Sequence, residues 1–189
     1  EKQDNMIPSA DFVDPRTGLP VVSLYGPRMA PPPETLTEVD VILADLVDVG
    51  TRVYTFAATL AKVMETAGKL KKKVVVLDRP NPIGGTAVEG NMLRPEWASF
   101  VGPYPLPMRH GFSLGELARY YRGTQDLECD LEVIPARGWR RGQYFDATGL
   151  PWVLPSPNLP TLDSALVYPG QVLLEGTNLS EGRGTTRPF

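Results

Sequence analysis

With 189 residues, a hydrophobic share of 42% and a formal net charge of -3 at pH 7, the chain is long enough for one α/β domain with its own core. The acidic balance argues against a nucleic-acid partner, which calls for a basic stripe to displace counterions. One cysteine and one histidine exclude an internal disulfide and a zinc centre built mainly from those two residue types, and no metal and no cofactor is expected.

No apolar run approaches the roughly eighteen residues needed to cross a bilayer, and the opening Glu1-Lys-Gln-Asp4 lacks the form of a signal peptide. Both ends read as cut, so a fragment is expected. In chain order, Val21–Tyr25 is strand-like, and Glu34–Val39 begins a short helix after Pro31-Pro-Pro33, where proline suits the first turn. Asp40–Leu46 reads as a buried strand, Val53–Ala67 as an alanine-rich helix ending near Gly68, and Lys73–Asp78 as the next buried strand. Two continuous apolar strands around a helix predict a parallel βαβ unit. The lysines between Lys69 and Lys73 are a solvated lead-in to that strand.

Arg79–Gly111 is rich in Pro and Gly and predicts a long loop crossing the sheet edge. Ser113-Leu-Gly-Glu116 is a capping box, so Leu114–Arg122 should be helical, with Glu116 a cap rather than a catalyst. Leu127–Pro135 alternates like a strand, Gly138–Trp152 is turn-rich with exposed aromatics, and Pro155–Pro160 is a rigid loop. Thr161–Leu174 predicts a helical or mixed element. Its apolar part, Ala165–Leu174, should be buried and deliver a glycine-rich turn, Glu175–Phe189, that carries hydroxyls, an amide, two carboxylates and two guanidiniums. That density of chemistry marks a site rather than a connector.

Further polar residues follow the apolar strands, at the carboxyl edge where an open parallel sheet binds ligands. Asp48 either caps the following helix or faces a ligand, and Arg52 and Tyr54 fall in the predicted first helical turn. Arg79 and Asn81 are held by Pro80 and Pro82, which limits the entropy lost on binding. Gly84-Gly85 lacks the Lys-Ser or Lys-Thr of a phosphate loop, and no G-x-G-x-x-G opens a helix, so nucleotide binding has weak support. Glu89 is either a site carboxylate or a hairpin residue. Arg109 and His110 precede a capped helix whose positive end favours a neutral imidazole able to accept a hydrogen bond. Asn158 is a fixed amide like Asn81, and Trp139, Tyr144 and Trp152 either stack on sugars or pack in the core. Neither a Gly-x-Ser-x-Gly elbow nor an activated cysteine is evident, since Cys129 lies in a strand-like segment without cationic neighbours. Carboxylate chemistry remains, and carboxyl pairs among arginines, amides and hydroxyls are the equipment of glycoside hydrolysis.

The stretches Asp45–Tyr54, Leu77–Ile83, Arg109-His-Gly111, Gly115–Ala118, Pro155–Asn158 and above all Glu175–Thr186 resemble the NamZ-type exo-β-N-acetylmuramidases, nearly throughout from Asp14 onward. The resemblance implies a Rossmann-like α/β fold with a mostly parallel sheet and flanking helices, truncated here, with the start of a second, smaller domain. Residues 1–189 would form most of the catalytic domain, with the boundary to a C-terminal domain near 160–189. It also implies release of terminal N-acetylmuramic acid from the non-reducing end of peptidoglycan fragments, outside the cytoplasm; it is silent on oligomeric state. Asp48, Glu181 and Glu175 become the candidate catalytic carboxylates. The expected substrate-binding residues are Arg52, Tyr54, Arg79, Asn81, Arg109, His110, Asn158, Thr177, Asn178 and Arg183, with Arg52, Arg79 and Arg183 suited to the lactyl carboxylate. Two departures stand out. Val47 replaces the family's usual glutamine, and the family's upstream Ser-Pro-Glu-His stretch, whose glutamate is a candidate acid, does not occur in this sequence. The alternative expectation is therefore a cell-wall sugar binding protein without turnover.

Overall fold

The computed structural model describes residues 9–189; the opening Glu1-Lys-Gln-Asp4, which lacks the form of a signal peptide, lies outside them. Strands β1 (Phe12–Val13) and β2 (Pro20–Val21) form a two-residue antiparallel ladder around a turn in which Asp14 binds Thr17. The strand expected over Val21–Tyr25 is not continued past Val21, because Asp11 Oδ1 takes the Ser23 N–H and Ser23 Oγ turns onto Tyr25. A single-turn helix, α1 (Pro33–Thr37), follows.

The sheet consists of β3 (Val41–Ala44), β4 (Lys73–Leu77) and β5 (Asp130–Ile134), all parallel and in the order β3-β4-β5. Helices α2 (Thr55–Lys69) and α3 (Leu114–Thr124) pack together on one face of it. Their apolar stripes meet Ala44, Val74 and Val76 in a core that includes Leu60, Met64, Leu117 and Tyr121. The predicted βαβ unit is present, and a second parallel crossover through α3 extends it. Among the described residues, no helix packs on the opposite face, where Val41, Leu43 and Ile134 lie by register and are 45%, 65% and 44% exposed. The expectation of a buried strand at Asp40–Leu46 thus fails on that side, since an apolar run does not specify which face a helix will cover.

The capping box forms as expected: Ser113 Oγ accepts from Glu116 N, and the Glu116 carboxylate accepts from Ser113 N. Asp78, at the end of β4, adds a second anchor by accepting from Ser113 Oγ at 2.7 Å and from the Gly115 N–H at 2.8 Å. A carboxylate there complements the helix's positive end. Gly115 permits this approach, because a Cβ would lie 2.5 Å from Val133 Cγ1 and 2.8 Å from Asp78 Cγ. Helix α4 (Leu162–Gln171) starts at a Thr161 cap and contains Pro169, after which the backbone tightens into a 3-10 turn, Val172–Gly176. Only part of its apolar run is buried: Ala165 and Tyr168 face inward, whereas Val167 and Leu173 are 43% and 61% exposed. Among the described residues, no helix is long and apolar enough to cross a membrane.

Candidate functional site

The sequence candidates divide into three neighbouring groups, and the first is buried. Asp48, Asn81 and His110 are 4%, 1% and 2% exposed. Asp48 does not cap α2, which starts seven residues later with Tyr54 at its N-cap position; Arg52 and Tyr54 therefore precede the helix instead of lying in its first turn. Asp48 Oδ2 accepts the Gly50 N–H at 2.7 Å and lies 3.3 Å from His110 Nε2, outside good hydrogen-bond alignment. His110 Nδ1 accepts the Phe112 N–H at 3.1 Å, so the proton of the neutral ring belongs on Nε2, facing Asp48. Asn81 spends both ends of its amide inside the protein, donating to Phe112 O and accepting from Ile83 N. Gly50 has φ +79, and a Cβ there would meet Asn81 Oδ1 at 2.5 Å. This geometry makes Asn81 a brace between two loops. The buried side-chain atoms without a partner among the described residues are Asp48 Oδ1, Thr51 Oγ1, Arg109 Nε and His110 Nε2. All four come from two segments joined by the Thr51–Arg109 bridge and the His110 N to Gly50 O bond.

The second group lines a groove of about 690 Å³ between the Glu89–Asn91 and Met108–Arg109 segments and one side of α4. The main chains of Glu89 and Arg109 exchange two hydrogen bonds, of 3.0 and 2.9 Å. The Arg109 guanidinium donates to Glu89 Oε2 at 2.7 Å and to Ile83 O at 2.6 Å. Burial works against its charge, but Glu89 and Tyr144 outweigh that and hold its pKa above the ordinary arginine value. Arg52 is different: its Nη1 serves the carbonyls of Leu106 and Asn91, and burial lowers its pKa. Arg79 is spent on Asp45 at the surface, through two bonds of 2.8 and 2.5 Å to one oxygen.

The third group is the C-terminal turn. Arg183 holds Glu175 through Nη2 and Glu181 through Nε, the latter at 3.0 Å, and lies 5.3 Å from the Phe189 ring centre. Its guanidinium is thus shared between two carboxylates of this chain. Glu181's pKa is held below the ordinary value first by its own backbone N–H and then by Arg183, against an opposing burial effect. Asn158 Oδ1 accepts the Gly184 N–H at 2.9 Å, tying the Pro155–Pro160 loop to the turn. Thr177 bonds Leu174 O and accepts from Leu179 N, while Asn178 is exposed. Tyr54 donates to Pro155 O at 2.5 Å. Burial pushes the Tyr54 phenol up, with Asp48 adding to it; burial and Glu175 push Tyr168 up to about 12, with a smaller contribution from Asp48. Both carboxylate groups therefore fall within electrostatic reach of Tyr168. Sequence reasoning passed over Thr51, Tyr168 and Arg141. Arg141 donates to Gly85 O and Gly111 O and pairs with Glu116, fastening the loop to α3. The one available signal was that a long Pro/Gly loop needs donors for its carbonyls.

The family model described as exo-β-N-acetylmuramidase NamZ, N-terminal, matches residues 1–163, and its C-terminal counterpart matches residues 166–189. The peptidoglycan β-N-acetylmuramidase NamZ of Bacillus subtilis (strain 168) is 52% identical over 178 residues, which are 94% of this chain and 43% of that protein. A solved DUF1343 family protein from Bacteroides fragilis NCTC 9343 superposes with a TM-score of 0.89 at 41% identity, over 93% of this chain and 46% of that one. A second from the same organism gives 0.81 at 34% identity, over 93% and 48%. The chain thus spans less than half the length of these relatives.

Proposed function

Since the chain belongs to the NamZ exo-β-N-acetylmuramidase family, we propose that it carries the Rossmann-like part of a glycosidase releasing terminal N-acetylmuramic acid from the non-reducing end of peptidoglycan fragments. The observation that carries this reading is the 52% identity with a peptidoglycan β-N-acetylmuramidase along 94% of the chain. The boundary to the second domain falls near 160–189, and the place of action is outside the cytoplasm, where peptidoglycan is found.

Glu181 and Glu175 are the carboxylates of the turn, held together there by Arg183. The lowered pKa of Glu181 suits a group that stays ionised to stabilise an oxocarbenium-like transition state or to assist a nucleophile, and it suits a proton donor poorly. Asp48, being buried, serves by holding the Asp48–Tyr54 loop through the Gly50 N–H rather than by touching the sugar. A second reading is favoured by one observation: both turn carboxylates are committed to Arg183, as in a site that binds sugar without turnover.

The deciding assay offers a chromogenic β-N-acetylmuramide and the matching N-acetylglucosaminide to this chain and to a version extended to the relatives' length. Turnover of the muramide alone by the extended protein is the expected result. Binding of muramic acid with no turnover by either protein would replace the glycosidase reading with the binding one.

A further inference from the structure

Three arginines, Arg52, Arg79 and Arg183, are suited by the resemblance to a ligand carboxylate, and the structure sets a fourth expected substrate-binding arginine, Arg109, apart from them. Arg52 is spent on carbonyls, Arg79 on Asp45 at the surface, and Arg183 on two carboxylates at once. Arg109 alone of the four lines the groove, where its side chain is 13% exposed. Its carboxylate partner, Glu89, is 64% exposed and also lines the groove. Its backbone is fixed from three sides: by the paired strand-like bonds to Glu89, by the bridge to Thr51, and through neighbouring His110, whose N–H binds Gly50 O.

Resting on the muramidase reading, we propose that Arg109 is the specificity residue for the substrate's carboxylate, and that Glu89 occupies the guanidinium until that carboxylate displaces it. A guanidinium with one Nη anchored to Ile83 O is preoriented, and only its outer Nη has to change partner. Glu89 can leave because its carboxylate is mostly solvated, so its release exposes little that water does not already reach. The apolar side of the groove, from Leu166, Val167 and Leu173 of α4 and the turn after it, would cover the lactyl methyl and sugar carbons, with Asn91 on the polar side. The volume falls in the range of small-ligand clefts.

Calorimetric titration of this chain with N-acetylmuramic acid and with N-acetylglucosamine, which lacks the lactyl carboxylate, tests the exchange. An exposed ion pair is worth up to about 1 kcal/mol, so Glu89→Gln should tighten the acid by about threefold to fivefold and leave the neutral sugar unchanged. Arg109→Met should remove the preference for the acid, and Arg109→Lys should restore part of it. Unchanged or weaker acid binding in Glu89→Gln, or an acid preference that survives Arg109→Met, overturns the proposal. If neither sugar binds any of these variants while the extended protein hydrolyses the muramide, the groove assignment fails and the muramidase reading stands. If the extended protein is also inert, both fail.

Discussion

At the scale of single residues, the sharpest consequence lies in the one histidine. His110 Nδ1 accepts a backbone N–H, which leaves Nε2 to carry the proton toward Asp48. Because the chain has no other histidine, nitrogen-15 correlation spectra of the labelled ring read this state without ambiguity. The expected result is the Nε2–H tautomer in the wild type and its loss of definition in Asp48→Ala. That variant also leaves the Gly50 N–H without its acceptor, so urea unfolding should show a loss of about 1–3 kcal/mol. Asp48→Asn retains an acceptor oxygen and should cost less, about 1 kcal/mol. A wild-type ring protonated on Nδ1, or an Asp48→Ala protein as stable as the wild type, would undo the pairing.

At the scale of elements, the C-terminal turn is where electrostatics and folding meet. Glu181's pKa lies below its ordinary value of 4.5 in the folded chain, so the carboxylate favours the folded state once ionised. The sign follows from linkage: the contribution is complete above about pH 4.5 and disappears as pH falls through the lower folded value. Glu181→Gln should therefore destabilise the protein more at pH 7 than at acid pH, a convergence on acidification that thermal melts across pH would record. Equal destabilisation at both pH values would mean that Glu181 acts by packing alone. Much of this level was legible in the sequence: the βαβ unit followed from two apolar runs around a helix, and α3 from four residues of its capping box. The roles of Asn81 and Asn158 were not, because a proline-flanked amide has the same local sequence whether it meets a ligand or braces a backbone. Their partners, Phe112 O, Ile83 N and Gly184 N, are brought to them by the fold. Arg183 escaped for a related reason, since two of the carboxylates named as catalytic turned out to be its own partners.

At the scale of the whole molecule, both crossovers run the same way, so α2 and α3 cover the same face of the sheet and the other face keeps its apolar side chains in solvent. Val41, Leu43 and Ile134 lie there with Val75 and Leu77 between them, and the Lys73–Glu132 pair at one end supplies the face's salt bridge. Contiguous exposed apolar surface of this kind drives association, and β3 adds an edge without a strand partner among the described residues. The 189-residue chain is thus expected to self-associate with rising concentration in sedimentation velocity. Leu43→Lys should suppress that association, and because Leu43 is 65% exposed, it should change stability by less than about 0.5 kcal/mol. A chain that stays monomeric at high concentration would show that this face is too interrupted to act as one patch. A large loss of stability in Leu43→Lys would show instead that the side chain is packed in solution, and that the bare face is not a property of the folded chain.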